Sequence, residues 1–342
     1  MTFNDLLEKI GEVGIVTEIN HTVIAVAGLP GACLHEIIYF ENGAMGEVFL
    51  LEEESVLILV FQTAAIKVGA RVTRTGTLLS VPVGTSLLGN VVNPLGKSLG
   101  AGTAYQIPKE ARMLESLPPK MSDRARITTP FLTGTPVVDM MIPLGKGQRE
   151  LIIGDRKTGK SSFVLSTVKN QVVNGAIAVY AVIGRRKSDI KEIEAFFRRE
   201  NIIDKVVIVA SSSYDAPGFI YLTPYSAMTI AEYFRDQGKN VVLVLDDLST
   251  HARFYREISL LAKRFPGRES YPGDIFAIHA RLLERAGNFK KRGRNLTVKD
   301  KKLEGKDNLI PKVNYEANES DEVSITALPL VEIVQGDLTG YI

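Results

Sequence analysis

Arg149-Glu-Leu-Ile-Ile-Gly154-Asp-Arg-Lys-Thr-Gly159-Lys160-Ser161 decides the fold. The stretch opens as an apolar strand over 149–153, turns, and runs into a helical pattern over 160–174. Positions 154–161 satisfy G-x-x-x-x-G-K-[ST], and each fixed position has a chemical reason. A phosphate chain must lie against backbone N–H groups, and Gly154 and Gly159 let that backbone come close. Lys160 sets a flexible cation on the β- and γ-phosphates, and Ser161 offers a hydroxyl to Mg²⁺. The helix that starts here adds its positive N-terminal end. Arg156, inside the loop, adds a cation within reach of the γ-phosphate. The predicted nucleotide-binding residues are therefore Gly154, Asp155, Arg156, Lys157, Thr158, Gly159, Lys160, Ser161 and Ser162, with ATP or ADP as ligand.

Further along, strands at 177–183, 205–210, 241–246 and 324–328 alternate with helices near 188–200, 224–238, 249–262 and 274–287. These strands are apolar throughout rather than every second residue, as in a parallel sheet covered on both faces. Short loops between alternating strands and helices predict a right-handed, doubly wound α/β domain. Val241-Val-Leu-Val-Leu-Asp246-Asp247 ends an apolar strand in acid, where such a fold places a Mg²⁺-directed carboxylate. Asp246 is the expected metal residue beside Ser161, with Asp247 in a supporting or capping role.

Residues 1–80 have a different texture. Ile15-Val16, Val23–Ala27, Glu47–Leu51, Val56–Phe61 and Arg71–Arg74 are short apolar stretches separated by turn residues, which predicts a small closed β-barrel. Asn42-Gly43 is the hairpin candidate. Residues 81–148 are punctuated by Pro and Gly, fit no helix, and are expected to wrap the larger domain. Residues 288–312 hold nine Lys and Arg against three acids, and 313–322 hold four acids and no base, which reads as a charged surface loop over 288–322.

Composition bounds the rest. The chain has 342 residues, 45% of them hydrophobic and 23% charged, which excludes a disordered or collagen-like polymer. A net charge of +2 gives no global pull toward nucleic acid or membrane. The single cysteine, Cys33, rules out an internal disulfide and suits a reducing compartment. The opening residues MTFNDLLEKIGEVG lack the apolar core of a signal peptide, and no apolar run approaches bilayer length, so any membrane role is expected to come through a partner. His21, His35, His251 and His279 have no metal spacing; the last two are expected to be surface or packing residues on helices.

Taken together the motifs resemble the alpha subunit family of F-type rotary ATP synthases. Gly147–Lys160 is close to that family's strand and phosphate loop; Asp246-Asp-Leu-Ser249, Pro266–Asp274 and Arg281-Leu-Leu-Glu-Arg-Ala286 follow in the family's order. Arg74-Thr-Gly76, Val81-Pro-Val-Gly84 and Leu88–Val92 match the run leaving its barrel, and Thr326-Ala-Leu-Pro329 and Gly336-Asp337 match the strand closing its sheet. The resemblance implies a RecA-like P-loop domain over 81–342 behind a β-barrel over 1–80. It implies a proton-translocating head in which alpha and beta subunits alternate around a central stalk, on the cytoplasmic side of the membrane and attached only through the proton-translocating sector. Alpha subunits bind Mg-ATP without turning it over, so no catalytic residue is expected here. Arg185, in Ile183-Gly-Arg-Arg186, stands where the catalytic beta subunit has the glutamate that positions the attacking water, and a cation accepts no proton from that water. The Pro266–Asp274 loop is implied to face the shaft. The family's arginine finger and C-terminal helical domain have no expected counterpart within 1–342, so their roles pass to no residue here. Two other readings stay open: a truncated pseudo-subunit that binds nucleotide without assembling, and a RecA-like ring motor on nucleic acid. The motor needs basic, aromatic-lined channel loops, whereas 288–312 carries only Phe289.

Overall fold

Burial at every second residue, the signature of a strand with one wet face, shapes the first part of the chain. In the computed structural model, which describes residues 3–62, 66–100, 105–292, 317–333 and 336, helix α1 (Phe3–Ile10) precedes six strands. These are β1 (Val13–Asn20), β2 (Val23–Ala27), β3 (Glu36–Phe40), β4 (Met45–Leu51), β5 (Val56–Val60) and β6 (Arg71–Leu78). They run in the order β1-β2-β5-β4-β3-β6, and β6 pairs back with β1 to close a barrel. Its interior is Val16, Ile24, Val26, Ile38, Phe40, Val48, Ile58 and Val72. Asn42-Gly43 does join two strands, with Gly43 at φ +83°.

α1 and β3 go beyond the sequence expectation. α1 buries only Phe3 and Leu6, too few apolar positions for a period to show. β3 opens with a carboxylate, Glu36, which is buried because the Arg74 guanidinium meets it at 3.1 Å.

The connecting segment supplies small pairings: β7 (Ser80–Pro82), β8 (Val91–Val92), β9 (Ala111–Met113), β10 (Pro130–Phe131) and β11 (Leu144–Gly145). β7 pairs with β9 and β10 with β11. Contrary to the expectation of no helix, a six-residue one, α2 (Pro136–Met141), forms here, opened by Pro136 in its first turn.

The main sheet contains β12 (Ile152–Gly154), β13 (Ile177–Arg185), β14 (Val206–Ser212), β15 (Val241–Asp246), β16 (Gly287–Arg292) and β17 (Ala317–Glu332). Its order is β12-β17-β15-β13-β14-β8, parallel throughout, with β16 antiparallel against β17. Successive residues of each strand enter opposite cores. Val179, Ala181, Leu243 and Leu245 face one, with helices α5 (Pro217–Asp236), α6 (Leu248–Leu261) and α7 (Ile275–Glu284). Tyr180, Val182, Val242 and Val244 face the other, with α3 (Lys160–Val173) and α4 (Lys187–Arg199).

α5 begins seven residues before the predicted start at 224. Pro224, at the expected start of this helix, lies inside it, and Pro217 holds the first turn. The helix is buried from Pro217 to Phe234 because it lies between barrel and sheet: Leu59 and Phe61 of the barrel share its core, and a Cβ on Gly218 would meet Leu59 at 2.7 Å. Tyr233 is buried as well.

The charged stretch 288–322 is not all loop. Its first residues belong to β16 and its last to β17, while 293–316 lie outside the described residues. Phe289 is buried and stacked by the guanidinium groups of Arg124 and Arg235, 5.5 and 4.9 Å from its ring centre. No helix among the described residues is long and apolar enough to cross a membrane.

Candidate functional site

In a parallel α/β sheet, loops beyond the carboxyl ends of the strands form the ligand crevice. Here the ends of β12, β13, β15 and β17 meet, bringing together Gly154, Arg185, Asp246 and Glu332; β12 pairs Gly154 directly with Glu332. The loop 155–159 turns tightly after β12, with Lys157 at φ +63° and Gly159 at φ +92° just before α3. Thr158 donates its hydroxyl to the Asp155 carbonyl at 2.8 Å, drawing the turn closed. Lys160 reaches back across it, its ammonium donating to the carbonyls of Gly154 and Asp155, both at 2.6 Å. Ser161 and Ser162 are exposed in the first turn of α3. The loop backbone and Lys160 thus line one concave turn at a helix N-terminus, an anion-binding arrangement.

Arg156 lies outside this turn: it is largely exposed and donates Nε to Glu332 at 3.2 Å. Glu332 also has Arg253 at 3.7 Å, and in the sequence nothing marks it out within Val331-Glu332-Ile333. Only the pairing of β17 beside β12 brings it to the loop.

The acids of β15 are arranged by parity. Asp246 follows Val242 and Val244 on the α3 face, where it meets Tyr180 of β13. Tyr180 donates its hydroxyl to Asp246 Oδ2 at 2.9 Å. Arg185 Nη2 lies 2.5 Å from Asp246 Oδ1 and 3.1 Å from Asp247 Oδ2, so one guanidinium bridges both acids. Asp246 and Asp247 are 2% and 1% exposed, which makes this a buried charge cluster. Burial alone would lower the Arg185 pKa, but Asp246 and then Asp247 raise it, so the guanidinium stays charged. Burial, reinforced by the Asp246 charge, pushes the Tyr180 phenol well above its ordinary range. Asp247 is raised by burial against the pull of Arg185, and it also caps α6, accepting from the Thr250 amide at 2.6 Å. Gly184, at φ +60°, turns the chain into Arg185; a Cβ there would sit 3.0–3.2 Å from Thr250, Phe254 and Ile220. Beside the loop lies a cavity of about 900 Å³ whose lining includes Arg156, Lys157, Arg185, Arg186, Arg253 and Arg256.

For Mg²⁺ the two expected ligands stand differently. Ser161 is exposed in the first turn of α3. Asp246 is buried with a guanidinium on one oxygen and a phenol on the other, so it does not present the open carboxylate that an approaching cation requires. No cluster of three His, Cys, Asp or Glu suited to a metal occurs among the described residues.

His251 and His279 are packing residues: His251 is fully buried, its Nδ1 2.9 Å from His279 Nε2 and its Nε2 3.1 Å from the Tyr221 carbonyl. The exposed turn around Pro266–Asp274 holds Glu269 and Ser270 at positive φ, next to the almost fully exposed Phe265.

Residues 134–342 match the family model for the ATP synthase alpha/beta family, nucleotide-binding domain, and residues 10–76 match its beta-barrel domain. The chain is 41% identical over 332 residues to ATP synthase subunit alpha 2 of Nitrosospira multiformis, covering 97% of this chain and 59% of that protein. It is 38% identical over 336 residues to ATP synthase subunit alpha 1 of a Marinomonas strain, covering 97% and 60%. With ATP synthase subunit alpha of a Sulfurovum strain it shares 39% over 338 residues, covering 97% and 61%. The chain thus spans about three fifths of the length of these relatives.

Proposed function

The chain belongs to the ATP synthase alpha/beta family, among its alpha subunits, and from that premise we propose that it is a noncatalytic, nucleotide-binding subunit of a rotary ATP synthase head. Its barrel, residues 1–80, and its RecA-like domain, from 81 onward, alternate in a ring with beta-type subunits around a central stalk. The complex is peripheral to the membrane on its cytoplasmic side and meets it only through the proton-translocating sector. The subunit supports ATP synthesis or hydrolysis by the ring and performs neither alone.

ATP or ADP lies with its phosphates against Gly154–Lys160 and the first turn of α3, through Ser161 and Ser162. A bound Mg²⁺ would screen phosphate charge, with Ser161 as its protein ligand. The noncatalytic assignment rests on Arg185. A water attacking the γ-phosphate needs an acceptor at its side, and at this corner the side chain is a guanidinium already committed to Asp246 and Asp247.

The full chain is expected to bind ATP, measured by titration calorimetry, and to release phosphate no faster than a protein-free blank. Lys160→Ala should weaken ATP binding by about tenfold or more, the worth of one well-placed charged contact, and leave the unfolding midpoint nearly unchanged. Sustained turnover by the isolated chain, abolished by that substitution, overturns the noncatalytic reading. Co-purification with a beta-type subunit tests the ring; a chain that binds ATP but stays apart is the non-assembling pseudo-subunit.

A further inference from the structure

Two buried carboxylates, Asp246 and Asp247, share a single cation, the Arg185 guanidinium. It stands at the carboxyl end of β13, next to the end of β15, where the sequence pattern leads one to expect a divalent metal. The second Asp246 oxygen is taken by Tyr180. A divalent cation approaching Asp246 meets fixed positive charge first and must displace it from both acids. Arg185 Nε is buried and has no hydrogen-bond partner among the described residues. The adjoining cavity carries six Lys and Arg side chains against four acids, an excess of positive charge facing the loop. Lys160 supplies one further cation inside the turn.

We propose that Arg185 is the built-in counter-cation of this site, and that a nucleoside triphosphate binds here with an affinity that does not depend on a divalent metal. This rests on the nucleotide-binding reading above and replaces the metal role expected of Asp246. Phosphate charge is offset by Lys160 and the cationic cavity wall, while Arg185 neutralises the acids that would otherwise call for a metal; Mg²⁺ arriving with ATP is tolerated at the open side near Ser161 but contributes little.

The test is calorimetric titration of the full chain with ATP, once in excess Mg²⁺ and once in EDTA. The two dissociation constants are expected to agree within about threefold. Arg185→Gln removes the charge and keeps a polar side chain; Asp246 and Asp247 then lack a cation, and ATP should bind at least about tenfold tighter with Mg²⁺ than without. A wild-type chain that loses tenfold or more in EDTA overturns the proposal, and so does an Arg185→Gln variant indifferent to Mg²⁺. A second measurement needs no variant: Mn²⁺ added to the wild-type chain without nucleotide should keep its free-ion paramagnetic resonance signal, and signal loss at one site per chain overturns the proposal. Absence of ATP binding in both buffers is a different result, because it overturns the nucleotide reading itself.

Discussion

At the scale of single residues, the site is governed by what neutralises Asp246. Its two oxygens have different partners, a cation and a phenol, and the phenol is separable from the charge pair. Tyr180→Phe keeps the ring, which packs edge-on against Phe197 at 5.9 Å, and removes only the hydroxyl. Losing one donor to a buried carboxylate should cost about 1–3 kcal/mol, read as a lower urea midpoint with an unchanged slope. A cost below about 0.5 kcal/mol would mean that Arg185 alone satisfies the acid. Arg185, Asp246 and Asp247 stand out in the sequence and Tyr180 does not, and nothing there gives their contact. Arg185 lies beyond an irregularity in the register between β13 and β14, and the pairing of Val182 with Asp246 is set across two strands more than sixty positions apart. No spacing rule spans that distance. The phosphate loop was legible because its chemistry is local: eight consecutive residues make the turn, the cation and the helix start.

At the scale of elements, two substitutions separate capping from ion pairing. Asp247→Asn keeps an oxygen for the Thr250 amide and removes the charge facing Arg185, so α6 should keep its cap while the guanidinium loses a partner. Asp247→Ala removes both and should be the worse by roughly 1 kcal/mol in chemical denaturation. The second element-scale device is Arg285, only 2% exposed at the end of α7. It donates Nη2 and Nε to Glu232 of α5 at 2.7 and 3.1 Å, and Nη1 to the Leu114 carbonyl at 2.7 Å. Arg285→Ala leaves the buried Glu232 with the more distant Ser116 hydroxyl at 3.4 Å and Arg235 at 4.0 Å, and should cost about 3 kcal/mol, enough to lower the yield of folded protein. The strands of the main sheet were readable as apolar runs, since both faces are covered. α5 was only half readable for the same reason: a helix buried all round shows no period, so its first two turns carry no helical signature.

At the scale of the whole molecule, acid should unfold the protein through the paired histidines as well as its carboxylates. The Tyr221 carbonyl can only accept, so His251 carries its proton on Nε2 and accepts at Nδ1 from His279. Burial favours the uncharged form of both rings. Burial lowers the pKa of His279 to about 4 and that of His251 well below its ordinary 6.5. Between those values the unfolded chain binds protons that the native chain does not, so stability falls as pH falls from about 6.5 toward 4. The slope has an upper limit of about 1.4 kcal/mol per pH unit for each ring. Glu232 acts in the same sense at lower pH: burial raises its pKa, but the Arg285 charge carries it below the usual value, and its contribution is lost as pH falls through that value. Urea midpoints measured from pH 7 to pH 4 should decline, and His279→Gln should flatten the upper part of that decline. A profile unchanged by the substitution would mean that His279 titrates normally.

The burial of α5 against both barrel and sheet also sets where this protein can be cut and recombined. Leu59 and Phe61 are shaped to a helix more than 150 positions downstream, with Gly218 leaving room for Leu59. A chimera that borrows only the first 80 residues from a relative therefore joins two surfaces that never matured together. The exchangeable unit is discontinuous: the barrel travels well only when residues 217–236 travel with it.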